Sequence, residues 1–125
     1  MTFNRLLRLC VCAAFPVLPG TLAYAAERMP ATTIKPLLIA AINRGESHGV
    51  LVGEAAAFMR GRFGSNAPVE IDVKTLATLP QPGCKRLEVT TRQSDVTEAA
   101  STAPVLKKLV YQVSYCRTGR FPDSK

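Results

Sequence analysis

The hydrophobic period of the chain changes once, after Pro68, and this change limits the fold more than any other feature of the sequence. Beyond this point apolar and polar residues alternate in three segments, at 69–74, 86–90 and 108–115. A period of two is typical of strands that bury one face and leave the other in water, as in an antiparallel sheet. The sequence therefore predicts three half-buried strands in its C-terminal half.

Two connections join the predicted strands. Residues 80–83, Pro-Gln-Pro-Gly, predict a turn between the first two strands. Residues 93–104, rich in Ser, Thr and Ala, predict a long connection between the last two. The three strands are then expected to be neighbours in chain order, as an antiparallel meander.

Before Pro68 the apolar residues follow a helical period instead. A stripe with spacing i, i+3, i+4, i+7 and i+8 covers one face of a predicted helix. Its members are Ile34, Leu37, Leu38, Ala41 and Ile42. Thr33 is expected to cap this helix, Pro36 falls in its first turn, and Gly45 is expected to end it.

A second helix is predicted over residues 53–62, with Ala55, Phe58 and Met59 facing inward. Residues 49–53 fit either an extra helical turn or a short extended segment. The fold class expected from these patterns is α+β, with one or two N-terminal helices packed on a three-stranded antiparallel meander.

The N-terminus has the composition of a secretory signal peptide. Arg5 and Arg8 precede an apolar run at 9–15, and Ala23-Tyr24-Ala25 supplies a small-x-small cleavage site. The apolar run is roughly half the ~20 residues that span a bilayer, so we expect cleavage after Ala25 and no integral membrane span afterwards. The predicted product is a single periplasmic α+β domain, residues 26–125.

Removal of this leader changes the cysteine count and the charge. The formal net charge falls from +7 to +5, and Cys84 and Cys116 are the cysteines that remain. A pair of cysteines in an oxidising compartment favours a disulfide over a metal site. The bridge would contribute roughly 3 to 4 kcal/mol in the chain-entropy model. It would also set Leu87 opposite Val113, with the cysteines on the sheet face away from the helices.

No catalytic, cofactor or metal site is predicted. His48 lies in Glu46-Ser47-His48-Gly49, interpreted as a loop between helices, and adjacent residues such as Ser47 and His48 generally do not face one another as a catalytic pair does. An enzyme would need His48 with Glu46 or Ser47 in a real pocket. Glu70 and Asp72 are interpreted as part of a solvated face of mixed charge rather than as a carboxylate dyad. P-loop, dinucleotide and nucleophile-elbow motifs are absent from the sequence.

Four basic residues form a candidate contact for anions. If the last two strands pair as a hairpin, Lys85 and Arg86 lie near Arg117 and Arg120. Such a cluster suits the phosphates of a nucleic acid or an anionic membrane surface. Only Phe121 is interleaved with it, so an ordinary basic surface is the favoured interpretation.

Three segments of the chain resemble a known family. They are Ala-Pro-Val-Glu-Ile-Asp-Val at 67–73, Gln-Pro-Gly-Cys-Lys-Arg-Leu at 81–87, and Tyr-Cys-Arg-Thr-Gly-Arg-Phe-Pro at 115–122. They are similar to small exported proteins encoded with conjugative-transfer and type IV secretion genes of proteobacterial plasmids and integrated elements. The resemblance implies an envelope location and a transfer-associated role, and it carries over no catalytic residue.

The combined expectation is a non-enzymatic periplasmic accessory or structural protein that acts by protein–protein contact, associated with a conjugative type IV secretion apparatus. Its expected partner is another envelope protein, bound by strand addition at a sheet edge. Nucleic acid or an anionic membrane is a less favoured partner. The alternative is a secreted inhibitor or immunity-type binding module, which a neighbouring toxin or hydrolase gene would support.

Overall fold

The computed structural model describes residues 27–97 and 103–124, together with Ala14 and Pro16. Along these residues the order of elements is β1 (Met29–Ala31), α1 (Lys35–Arg44), β2 (Glu46–Leu51), α2 (Glu54–Phe63), β3 (Val69–Thr78), β4 (Cys84–Val96) and β5 (Val105–Cys116). Apart from Ala14 and Pro16, the predicted signal peptide at 1–25 lies outside the described residues.

The strands form one mixed sheet in the order β1-β2-β3-β4-β5. β1 pairs parallel to β2, and each later neighbour pairs antiparallel. The α+β class is therefore confirmed, and β3, β4 and β5 follow one another as a meander. The prediction of three strands was wrong, because β1 and β2 extend the sheet to five. The helices are not both N-terminal to the sheet, since α1 follows β1 and α2 follows β2.

β2 does not show the pattern of a strand in its sequence, and the reason is local. The sequence pattern indicates a loop at 46–49 and fits either a helical turn or an extended segment at 49–53, because His48 and Gly49 hide the alternation of polar and apolar residues. In the fold Gly49 is buried directly beneath α1, and a Cβ there would lie 2.5 Å from Cδ2 of Leu37. The missing side chain is what lets the helix approach this strand.

Helix α1 covers one face of the sheet. The predicted stripe is confirmed, since Leu37, Leu38, Ala41 and Ile42 are its buried residues. They pack in a core with residues from four strands, namely Ala31, Ile71, Val73, Leu87, Val89 and Tyr115. Gly45 ends the helix at φ 93°, as expected, and its N–H donates to Ala41 O. The cap prediction was wrong: Ile34, and not Thr33, occupies the N-cap position, without a side-chain hydrogen bond.

Helix α2 is attached more loosely. Its buried residue is Ala56, whereas Phe58 is 69% exposed, so the prediction that Phe58 faces inward was wrong. Ala55 and Met59 are half-buried. The end of the helix is held to the sheet by Phe63 O, which accepts a hydrogen bond from Thr97 N just after β4.

The C-terminal hairpin is held by the predicted disulfide. Cys84 lies opposite Cys116 in the β4–β5 register, Leu87 lies opposite Val113, and the two cysteines are bonded. By strand alternation their side chains lie on the face away from α1, and both residues are nonetheless buried. β4 also runs on to Val96 and β5 begins at Val105, so the predicted connection from Gln93 to Pro104 was too long.

The contact between Gly49 and Leu37 can be tested with a matched pair of glycine substitutions. Gly49→Ala should lower the free energy of unfolding by about 1–3 kcal/mol, because a methyl group is forced against the fully buried Leu37. Gly61→Ala, in α2 with nothing within 4 Å of the added Cβ, should raise it by up to about 1 kcal/mol through helix propensity. Urea unfolding of both variants measures the difference. Equal effects at the two positions would contradict the close packing at Gly49.

The bridge can be tested by its removal. The double variant Cys84→Ala/Cys116→Ala should lose roughly 3 to 4 kcal/mol of unfolding free energy, since the unfolded chain regains the freedom of the loop. In the parent protein, intact mass should rise on reduction by one hydrogen for each of the two cysteines. Free thiols before reduction would refute the bridge.

Candidate functional site

The sheet face opposite α1 carries charged side chains in rows across the strands. We call it the open face. In one row His48 lies opposite Asp72, and in the next Glu70 lies opposite Arg92. A third row places Lys74 between Glu46 and Glu88. The prediction of a face of mixed charge at Glu70 and Asp72 is confirmed by these neighbours.

Asp72 is the centre of the open face. Its Oδ1 accepts hydrogen bonds from Nη1 of Arg28 at 2.9 Å and from Nδ1 of His48 at 2.7 Å. Its Oδ2 accepts a 2.6 Å bond from Nη2 of Arg92. Arg28 also contacts Glu70 at 3.3 Å and donates to Gly49 O at 3.1 Å. One carboxylate therefore ties the segment before β1 to three strands of the sheet.

This environment shifts the acidity of Asp72. Burial is the largest single influence and acts to raise the pKa of the carboxyl group. The hydrogen bonds from His48 and Arg28, with the positive charges of Arg28 and Arg92, together outweigh it, so that the pKa is lowered from its ordinary value of 3.8. Asp72 is accordingly an anion at neutral pH, and because an ionised carboxylate only accepts, Nδ1 of His48 carries the proton of their bond.

His48 is on a strand, and not in the loop that the sequence suggested. Its Nε2 lies 3.8 Å from Glu46 Oε1, beside a shallow depression of about 160 Å³. The depression is lined by Glu46, His48, Asp72, Val73, Lys74, Glu88 and Thr90. An imidazole that donates from Nδ1 to a carboxylate presents Nε2 as a proton acceptor, but acyl transfer also needs a hydroxyl or thiol facing the ring.

Ser47 does not supply that hydroxyl. It lies on the opposite side of β2, is buried, and donates from Oγ to Leu37 O at 2.6 Å. The sequence neighbours Ser47 and His48 are therefore not brought together, because successive strand residues point to opposite faces. Among the described residues no cluster of three or more His, Cys, Asp or Glu side chains is placed to hold a metal ion.

The four basic residues share one end of the sheet but not one face. Lys85 pairs with Tyr115 and Arg86 with Ser114, so Lys85 and Arg86 point to opposite sides. Arg117 and Arg120 are exposed in the turn after β5. This turn folds back, with Tyr115 Oη donating to Gly119 O at 2.7 Å and Asp123 N donating to Gln81 Oε1 at 2.8 Å. Binding of anions at these residues stays a prediction.

The outer strand β5 is the most exposed apolar part of the sheet. Sequence alternation placed Leu109 and Tyr111 on the buried face, yet they are 59% and 40% exposed, and Val110 on the other face is 49% exposed. Val105 and Leu106 are exposed as well. Both faces of one strand are thus apolar and open, which periodicity alone did not indicate. Partial burial also raises the pKa of the Tyr111 hydroxyl.

The hydrogen bonds at the disulfide show which backbone groups of β5 face outward. Cys116 N donates to Arg120 O, and Cys84 O accepts from Leu79 N, so these opposed residues do not bond each other. In an antiparallel pair, bonded and non-bonded positions alternate, and the register is unbroken from Cys84 to Gln93. The N–H and C=O groups that point to the free edge therefore belong to Lys108, Val110, Gln112 and Ser114.

An apolar groove lies beside this edge, between α2 and the ends of β4 and β5. Its volume is about 150 Å³, and its lining includes Met59 and Phe63 of α2 and Leu109 of β5. Gln93 contributes a buried side chain whose Nε2 donates to Ala67 O at 3.1 Å. The ammonium of Lys107 lies 6.0 Å from the Phe63 ring centroid. The groove extends the exposed apolar strip of β5 toward α2.

Neither a family model, nor a curated protein, nor a solved structure matches the chain. Within the described residues, no helix combines the length and the apolar character needed to cross a membrane.

The role of Asp72 as the centre of the open face gives a pH-dependent test. Asp72→Asn should lower the free energy of unfolding at neutral pH by about 1–2 kcal/mol, because two arginines lose a charged acceptor. The folded pKa is lowered, so the carboxyl contributes stability above its unfolded pKa of 3.8 and loses it as pH falls through the folded value. The gap between parent and variant should therefore shrink below pH 3.8.

Glu88→Gln is the matched control, because Glu88 has one ion pair within the described residues, the 3.4 Å contact with Lys74. Chemical denaturation across a pH series measures all three proteins. A loss in Glu88→Gln as large as that in Asp72→Asn, or a gap that does not change with pH, would contradict the central role of Asp72.

Proposed function

We propose that this protein binds another protein by accepting a strand at the free edge of β5, and that it acts as a non-enzymatic accessory component. The observation that carries the proposal is the exposure of apolar side chains on both faces of β5 together with outward-facing backbone groups. A long, apolar and unpaired edge is a ready template for another strand. Proteins normally blunt such an edge unless it is used.

The other edge of the sheet, formed by β1, is less suited to pairing with an added strand. β1 has only three residues, and the middle one is Pro30, which has no N–H to donate. Short strands, prolines and lysines are the usual protection of sheet edges. β5 has 12 residues and no proline, and its two lysines, Lys107 and Lys108, precede an uncharged stretch at 109–114. Of the two edges in the described sheet, β5 is the one suited to pairing.

The cellular setting belongs to the proposal as well. A leader with the order of a secretory signal at 1–25 supports export to the periplasm, and the Cys84–Cys116 disulfide is compatible with an oxidising compartment. The resemblance of residues 81–87 and 115–122 to small exported transfer proteins supports a place beside a conjugative type IV secretion apparatus. The partner is then another envelope protein.

Site-specific photo-crosslinking in cells tests the surface. A photoreactive amino acid at Gln112 should give a discrete adduct in envelope fractions, whereas the same residue at Lys35, exposed at the start of α1, should not. Val110→Pro in the same chain should abolish the Gln112 adduct, because the proline removes an outward N–H and leaves the β4–β5 hydrogen bonds intact.

Far-ultraviolet circular dichroism and an intact disulfide verify that the Val110→Pro protein is folded. Adducts of equal yield from Lys35 and Gln112, or a Gln112 adduct that persists in folded Val110→Pro protein, would show that β5 is not the binding edge.

A further inference from the structure

The chemistry of β5 and its surroundings restricts the kind of strand that can be added. This inference rests on the proposed function, and concerns the partner. A strand placed beside β5 lies about 4.8 Å away and sends alternate side chains to each face of the sheet. On the face shared with the helices, they would meet Leu109 and Tyr111 and the groove formed with Met59 and Phe63.

The charged residues of β5 are all basic, although the exposed Asp95 lies in the β4 bulge opposite the start of the strand. β5 contains Lys107 and Lys108 and no acidic residue. The last turn of α2, which borders the groove, carries Arg60 and Arg62. Three carboxylates of the open face are engaged with other basic residues: Glu70 and Asp72 with Arg28 and Arg92, and Glu88 with Lys74. The basic residues of β5 therefore favour negative charge in an added strand.

From these observations we propose that the occupant of the β5 edge is an extended segment of a partner protein in which apolar residues alternate with Asp or Glu. Its apolar side chains enter the groove beside Leu109. Its acidic side chains lie on the open face beside Lys108. Lys108 is on that face because it lies opposite Arg92 in the β4–β5 register. The backbone bonds are made to Lys108, Val110, Gln112 and Ser114. Apolar contact and backbone bonds supply affinity, and charge selects the sequence.

A second copy of this chain fits the edge less well. Pairing β5 with itself would bring no carboxylate to Lys107 or Lys108, because the strand contains no acidic residue. A strand with acidic side chains would instead place carboxylates beside the two lysines.

Two labelled synthetic peptides test the inference by fluorescence anisotropy on the purified mature domain. One alternates valine with glutamate, and the other alternates valine with lysine. The glutamate peptide should bind saturably and more weakly as salt is added, whereas the lysine peptide should bind at least about tenfold less tightly. In an amide NMR spectrum, the glutamate peptide should shift the N–H signals of Val110 and Gln112 most.

A matched pair of charge reversals locates the effect. Lys108→Glu should weaken binding of the glutamate peptide by roughly tenfold and strengthen binding of the lysine peptide. Lys35→Glu makes the same change of net charge at the exposed start of α1 and should leave both affinities within about twofold, as expected for a distant charge. Val110→Pro should abolish binding of the glutamate peptide.

Equal binding of the two peptides, or equal effects of Lys108→Glu and Lys35→Glu, would overturn the proposal. So would a dimer in sedimentation experiments that Val110→Pro dissociates, because the edge would then belong to a second copy. If crosslinks from Gln112 persist while the glutamate peptide fails to bind, the edge is a binding surface for a strand of other chemistry, and only this inference fails.

Discussion

The register of the β4–β5 hairpin, held by the Cys84–Cys116 bridge, is the constraint on which the rest of the structure depends. Because side chains alternate along a strand, a shift by one residue would exchange the two faces of the sheet. The bridge joins two opposed residues whose backbone groups form hydrogen bonds with Leu79 and Arg120 and not with each other. It thereby places Leu87 and Val89 under α1, and it turns the N–H of Val110 toward solvent. Core, charged face and free edge are all consequences of one pairing.

The sheet is larger than the helix that covers it. α1 has 10 residues, which is about 15 Å of helix, and a helix is about 10–12 Å wide. β5 has 12 residues and a length of about 40 Å. One such helix buries only the part of each strand beneath it, which explains why Tyr115 is buried while Leu109 in the same strand is exposed. α2 borders the uncovered part without closing it, since its buried residue is Ala56.

Patterns of local origin were readable from the sequence. The alternation in β3, β4 and β5, the stripe of α1 and the pairing of Cys84 with Cys116 all follow from periodicity or from cysteine count. The sequence does not predict β1, because a strand of three residues that includes Pro30 is too short to show a period. It does not predict β2, because the position that packs on Leu37 is Gly49, which has no apolar side chain to complete the alternation.

The features that depend on tertiary position could not be predicted in this way. The contact between His48 and Asp72 requires the β2–β3 register, which the sequence does not show. Arg28, which also binds Asp72, comes from a segment without a motif. The exposure of Leu109 and Tyr111 depends on where α1 ends over the sheet. The same applies to Phe58, whose helical spacing suggested burial although α2 has little to pack against.

The unequal ends of the sheet have a consequence for stoichiometry. Growth of a fibre by strand addition needs two competent edges on each molecule, so that every added unit offers a new site. In the described sheet, Pro30 and the three-residue length close the β1 edge, and only β5 is left to accept a strand. If a strand adds at β5, the expected product is a closed complex with one partner strand per molecule, and the exposed apolar edge would not propagate into a polymer.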